Sequence, residues 1–165
     1  MAQIVELDQF ERELKPVLDG AYRLAYGLLR SRDRAEDAVQ QAALKAWEKR
    51  QQFRCERSFP PWFLAIVANQ CRAVMRSRWS SIAPLVDPPE PGSFAEEALV
   101  DRLCLQEAIG QLEYEDQLAL ILRFDLDKPF KEVGAIMEIT ELAARSRIHR
   151  IIQRLRPYLD DGEAY

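Results

Sequence analysis

Residues 80–94, SSIAPLVDPPEPGSF, hold four prolines and a glycine and carry no apolar period. A helix interior loses a hydrogen bond and meets a ring clash at every proline, so the stretch reads as an extended linker over residues 80–95. It divides the chain into two parts, residues 1–79 and 96–165. At ~3.3 Å per residue, about fifteen residues reach on the order of 50 Å, so the two parts can act at separate places. On either side, apolar residues recur with a helical period, and no convincing alternating strand pattern is found. The expected fold is all-α, two small helical domains on a tether, and 48% apolar residues in 165 are enough to build both cores.

Phe10, Leu14, Val17 and Leu18 mark a first helix, and Ala21, Leu24, Ala25, Leu28 and Leu29 a second, with Gly20 as the expected joint. Asp33 and Glu36 have the spacing of a capping box for a third helix running to about Arg50, with Ala35, Ala38, Val39, Ala42, Ala46 and Trp47 on its apolar side. After a polar loop at residues 51–58, Pro60 and Pro61 favour the start of a fourth helix that continues to Trp79. Beyond the linker, Leu99, Leu103, Ile109 and Leu112 fit one helix and Leu118, Ile121 and Leu122 the next. A helix-turn-helix follows from Phe130.

The formal charge is -4, but it is unevenly spread. From residue 61 to 79 the charged residues are Arg72, Arg76 and Arg78, from 145 to 156 they are all basic, and residues 87–138 are strongly acidic. Two basic elements in an otherwise acidic molecule suit contact with one long polyanion at two points. Cys55, Cys71 and Cys104 are odd in number and widely spaced, and His149 is the sole histidine, so a disulfide framework and a zinc site are both disfavoured. No metal or cofactor is expected. With no glycine-rich phosphate loop and no assembly of nucleophile and base, an enzyme is not expected either. No apolar leader or long apolar span is found, which points to a cytoplasmic protein without membrane insertion.

In residues 136–155, IMEITELAARSRIHRIIQRL, a short apolar helix meets a polar break before a second, arginine-rich helix. At about 100° per residue, Ala144, Ile148, Ile151, Ile152 and Leu155 share one side, and Ser146, His149, Arg150 and Gln153 fall nearly opposite. One side packs and the other can enter a major groove. The fourth helix also has unlike faces: Phe63, Ile66, Val67, Gln70, Cys71 and Val74 on one, Trp62, Asn69, Arg72, Arg76 and Trp79 on the other. With Phe53, Arg54, Arg57 and Phe59 just ahead, aromatic rings interleave with positive charge, which suits single-stranded nucleic acid. An equal alternative is that Phe59 and Trp62 staple the helix start into the core. The third helix offers an exposed strip of Glu36, Asp37, Gln40 and Gln41, to which chemistry alone assigns no partner. Arg123 and the acids Glu113, Glu115 and Asp116 read as solvated faces and helix starts.

The runs RAEDAVQQAALKAWEKRQQF and PPWFLAIVANQCRAVMRSRW resemble region 2 of extracytoplasmic-function sigma factors. LEYEDQLALILRF and KEVGAIMEITELAARSRIHRIIQRLR resemble region 4 of that family, in the right order with a linker between. The resemblance implies an initiation subunit of bacterial RNA polymerase that performs no chemistry itself. It implies core polymerase as partner, with Glu36, Asp37, Gln40 and Gln41 docking on the beta-prime coiled coil, region 4 meeting the beta flap, and the linker threading the RNA exit path. Phe53, Arg54, Arg57, Ser58, Trp62, Asn69, Arg72 and Arg76 would read and open the minus-ten element of promoter DNA. Thr140, Arg145, Ser146, Arg147, His149, Arg150, Gln153 and Arg154 would meet the minus-thirty-five element. An anti-sigma factor that covers both DNA-facing surfaces is a further implied partner. The chain departs from the family pattern at Glu138, where the turn has glycine, at Leu142, Ala143 and Ala144 in place of Gly-Thr-Val, and at Gly134 in place of alanine. These changes lead one to expect a remodelled turn, with phosphate grip either weaker or carried more by Arg145 and Arg147. A helix-turn-helix regulator without polymerase docking and a sigma-like adaptor are the competing readings.

Overall fold

The computed structural model describes residues 2–53, 58–78 and 96–159. The expectations for Arg54, Cys55, Arg57, Trp79 and the linker at 80–95 lie outside those residues, as does the side chain of Leu99. The first part holds four helices, α1 (Ala2–Leu14), α2 (Leu18–Leu29), α3 (Arg32–Glu48) and α4 (Phe59–Arg78). The second holds α5 (Glu96–Gly110), α6 (Tyr114–Leu120), α7 (Phe130–Met137) and α8 (Glu141–Leu155), with a widened π turn over Ile121–Asp125 following α6. The all-α reading therefore holds among the described residues.

Two joints differ from expectation. The break between α1 and α2 is a tight turn at Lys15–Val17 containing Pro16, and Gly20 lies inside α2. Proline removes a backbone donor outright, which outweighs the modest helix penalty of an interior glycine. At the start of α3, Ser31 is the extended residue before the helix, and Asp33 falls within the first turn rather than at the cap. There its carboxylate still faces the positive end of the helix dipole.

Ala35, Ala38, Ala42 and Ala46 are all buried, and this small-residue seam lets α3 pack closely against both α2 and α4. Leu24, Leu28, Leu29, Phe63 and Val67 fill the space between. Phe10 of α1 meets the rings of Trp47 and Phe59 edge-on at 5.3 and 5.8 Å, and Arg50 reaches Glu6 at 3.3 Å, which ties α1 to the bundle. In the second part, Leu118, Leu122, Val133, Ile136, Ala144, Ile148, Ile151 and Leu155 form the core. Leu103 is exposed, and α5 packs through Leu105, Ala108 and Ile109 instead.

The two parts are in contact. Helices α2 and α4 lie against α6, the π turn and α7. A Cβ added to Gly27 of α2 would come within 2.8 Å of Ile121 Cδ1, so the glycine permits a close approach. Leu64 and Ala68 of α4, which lie off the expected apolar seam, are buried as well.

The helix-turn-helix keeps its turn despite the missing glycine. Glu138 itself adopts the left-handed conformation, φ 58° and ψ 37°, and the Ile139 amide donates to the Gly134 carbonyl at 2.9 Å. The glycine this turn requires has a different place. A Cβ on Gly134 would sit 2.8 Å from the Ile139 carbonyl oxygen and 3.2 Å from the Glu141 nitrogen, both backbone atoms. Gly134→Ala is therefore expected to destabilise the protein by about 1–3 kcal/mol although alanine is the better helix former. Glu138→Gly should stabilise it by up to ~1 kcal/mol by removing left-handed strain. Urea unfolding of the two variants checks both signs; a stabilising alanine at 134 would contradict the packing argument.

Candidate nucleic-acid interface

Thr140 caps α8, its Oγ1 accepting the Ala143 amide at 3.1 Å, and so sets where the helix begins. Ala144, Ile148, Ile151 and Leu155 are buried beneath α8, whereas Ser146, His149, Arg150 and Gln153 are exposed. Ile152, placed on the apolar seam by periodicity, is 36% exposed at its margin. Arg145 lies over the Phe130 ring at 4.8 Å and pairs with Glu141 at 3.3 Å, a geometry that presents its guanidinium beside the helix start. Arg123 also meets the Phe130 ring, at 5.1 Å. Leu142, in the first turn, is 72% exposed, and Ala143 beside it is exposed too.

Arg147 and Arg154 have a different setting. Arg147 Nη1 donates to Asp116 Oδ1 at 2.6 Å and Arg154 Nη1 to Asp116 Oδ2 at 3.3 Å. Asp116 is only 8% exposed, so it is not a solvated acid as its composition suggested; it anchors α8 on α6. Gln117 beside it is also buried, its Nε2 donating to the Leu112 carbonyl at 2.8 Å.

On α4, the alternative readings of the aromatics divide. Phe59 is buried among Phe10, Phe53, Trp62 and Phe63 and is a core residue. Phe53 and Trp62 are half-buried, 4.8 Å apart, and form the outer edge of that cluster. Ser58 and Trp62, with Pro61 and Ala65, form one wall of a cleft of about 870 Å³ whose other wall is Pro129, Lys131, Glu132, Ala135 and Glu138. Asn69 and Arg76 are exposed. Arg72 is half-buried: Nη1 donates to Asn69 Oδ1 at 2.8 Å and Nη2 to Glu115 Oε1 at 2.5 Å. Its guanidinium also lies 5.0 Å from the centre of the Tyr114 ring. Burial pushes the pKa of the Tyr114 hydroxyl well above its ordinary value, so it remains a donor, and it bonds the Ala68 carbonyl at 2.5 Å. Burial likewise pushes the Cys71 thiol up to about 12, which keeps it an inert core group, while Cys104 is exposed.

Glu36, Asp37, Gln40 and Gln41 all lie exposed along α3. Leu44, one turn beyond Gln40 and Gln41, shares their face and is 57% exposed. Its signal in the sequence was an apolar residue off the alanine seam. Among the described residues, no helix is long and apolar enough to cross a membrane.

Residues 13–81 match the Sigma-70 region 2 family and residues 102–155 the Sigma-70 region 4 family. The chain is 31% identical over 133 residues to RNA polymerase sigma factor CarQ of Myxococcus xanthus, covering 78% of this chain and 76% of that protein. It is 28% identical over 151 residues to ECF RNA polymerase sigma factor SigE of Mycolicibacterium smegmatis, covering 86% of this chain and 58% of that longer protein. The structure resembles the sigma factor RpoE of Bartonella quintana, crystallised with the anti-sigma factor NepR, with a TM-score of 0.73, 26% identity, and coverage of 92% of this chain and 96% of that one. Two matched regions in the family order, on two helical bodies whose arginine-bearing helices were just described, establish that this chain belongs to the extracytoplasmic-function sigma factors, the subunits that bind core RNA polymerase and direct promoter-specific initiation.

Proposed function

We propose that the chain works as three units: residues 1–79 dock on the polymerase and open the minus-ten element, 80–95 connect, and 96–165 read the minus-thirty-five element. The observation that carries this is the pairing of two helices with opposed faces. α8 has a buried isoleucine seam and an exposed face of Ser146, His149, Arg150 and Gln153, and α4 is core-packed on one side with Trp62, Asn69, Arg72 and Arg76 on the other. Arg150 and His149 point to base edges and phosphates in the major groove, with Thr140 and Arg145 at the helix start and Gln153 further along. Arg147 and Arg154, held by Asp116, position the helix. Phe53, Ser58 and Trp62, adjoining Arg54 and Arg57, supply stacking surface and charge for an unpaired strand. Sequence is then read from bases turned out of the stack.

The strip of Glu36, Asp37, Gln40 and Gln41 is the docking face for the beta-prime coiled coil, and exposed Leu44 gives it an apolar anchor. The beta flap is the second polymerase contact, made by the region 4 domain. The chain itself catalyses nothing; nucleotidyl transfer belongs to the polymerase. It acts in the cytoplasm. The relationship to a sigma factor solved with its anti-sigma factor supports a partner of that kind for this chain as well.

Transcription in vitro with purified core polymerase and a promoter library tests the reading: the chain should direct initiation from a definable subset of sequences. Arg150→Ala should lose about 1–3 kcal/mol of recognition, with discrimination relaxed at one position of the minus-thirty-five element. A uniform loss across all sequences would make it a phosphate contact instead.

A further inference from the structure

Leu142 is the most exposed large apolar side chain among the described residues. It is the second residue of α8, on a helix start that is fixed in place. Thr140 Oγ1 accepts the Ala143 amide at 3.1 Å, and the Thr140 carbonyl accepts the Ala144 amide at 3.0 Å. At about 100° per residue, Leu142 lies within about 40° of Ser146, His149 and Gln153, and roughly 150° from the centre of the buried row beneath the helix. It therefore stands in the middle of the outward face, not at the margin of the core as Ile152 does.

A leucine side chain neither donates nor accepts a hydrogen bond. The major groove presents donors and acceptors on every base pair, and its one apolar group is the C5 methyl of thymine. Set against a donor or acceptor, leucine removes water and supplies no partner; set against a methyl, it takes apolar surface out of water on both sides. One side chain thus favours thymine and disfavours the other bases. Ala143, exposed beside it, adds a further methyl to the patch. Residues at the start of a recognition helix are the ones that meet base edges. The glycine of the family pattern has no side chain to offer at this place, so the contact is this chain's own.

We propose that Leu142 is a specificity-determining residue, reading the methyl group of one thymine in the minus-thirty-five element. The inference rests on the assignment of the Ser146, His149, Arg150 and Gln153 face to the major groove.

The test uses holoenzyme assembled from the full chain and core polymerase, at subsaturating concentration, on promoters randomised across the minus-thirty-five element. The native chain should select thymine at one position. Leu142→Ala should lose that selection while keeping the other preferences and an unchanged melting curve. Replacing that thymine by deoxyuridine removes the methyl and leaves every hydrogen-bonding group in place. This should lower initiation by the native holoenzyme about fourfold, the effect of burying one methyl group, and leave the Leu142→Ala holoenzyme unaffected. If native initiation is indifferent to deoxyuridine, or if Leu142→Ala keeps the thymine preference or loses activity evenly across all sequences, the inference is refuted. Arg150→Ala separates it from the parent reading. If neither variant relaxes any position, the assignment of α8 fails and the inference with it; if Arg150→Ala relaxes one position and Leu142→Ala none, only the methyl contact fails.

Discussion

Replacing Asp116 with alanine should lower the unfolding free energy by about 3 kcal/mol, the largest loss expected from any single polar side chain in the second domain. The side chain is 12% exposed, and its carboxylate accepts from Arg147 at 2.6 Å and Arg154 at 3.3 Å. Removing one partner of a buried pair costs about 3–5 kcal/mol because the charge left behind is stranded. Arg154 is largely in water and is screened, so most of the loss comes from Arg147, and the lower end of that range applies. Denaturant unfolding of Asp116→Ala measures the loss, and Asp116→Asn should recover part of it by keeping a hydrogen-bond acceptor. A loss below about 0.5 kcal/mol would mean that α8 is held by its isoleucine seam alone. The same geometry predicts that Arg147→Ala weakens promoter binding chiefly through stability, in contrast to Arg150→Ala.

Asp37→Arg should weaken association with core polymerase at least about a hundredfold while leaving the fold intact. Asp37 is exposed, its α3 neighbours Ala38 and Ala42 carry the packing, and a surface substitution clear of the core changes stability little. If the strip is the docking face proposed above, a charge reversal there replaces attraction by like-charge repulsion. Leu44→Ala should weaken the same association without altering the face's charge. Native-like affinity of Asp37→Arg for core polymerase, in a variant with an unchanged melting curve, would remove the acidic strip from the interface.

The helical periods of α2, α3 and α8 were legible because burial there is decided by neighbours three and four residues away. Ala35, Ala38 and Ala42 lie under α3, and Ala144, Ile148 and Ile151 under α8, as the spacing predicted. Position 138 shows where local rules stop. The missing glycine suggested a remodelled turn, yet Glu138 takes the left-handed conformation itself and the steric need for glycine falls at 134, against the backbone of the next helix. A propensity scale prices a residue in its own helix and cannot register that approach.

What the sequence alone determined was the all-helical fold class, the two-part organisation, the packing face of α8, and the family. Each follows from patterns repeated within one helix or from contiguous motifs. What the tertiary structure decided was how the charges pair. Glu115 and Asp116 look like ordinary acids at a helix start, but they meet Arg72 and Arg147, 43 and 31 residues away. An ion pair depends on distance in space, and the fall-off of electrostatic attraction over a few ångströms carries no trace in the order of the chain. Only the packing of α6 against α4 and α8 shows which arginines are engaged within the protein and which face outward.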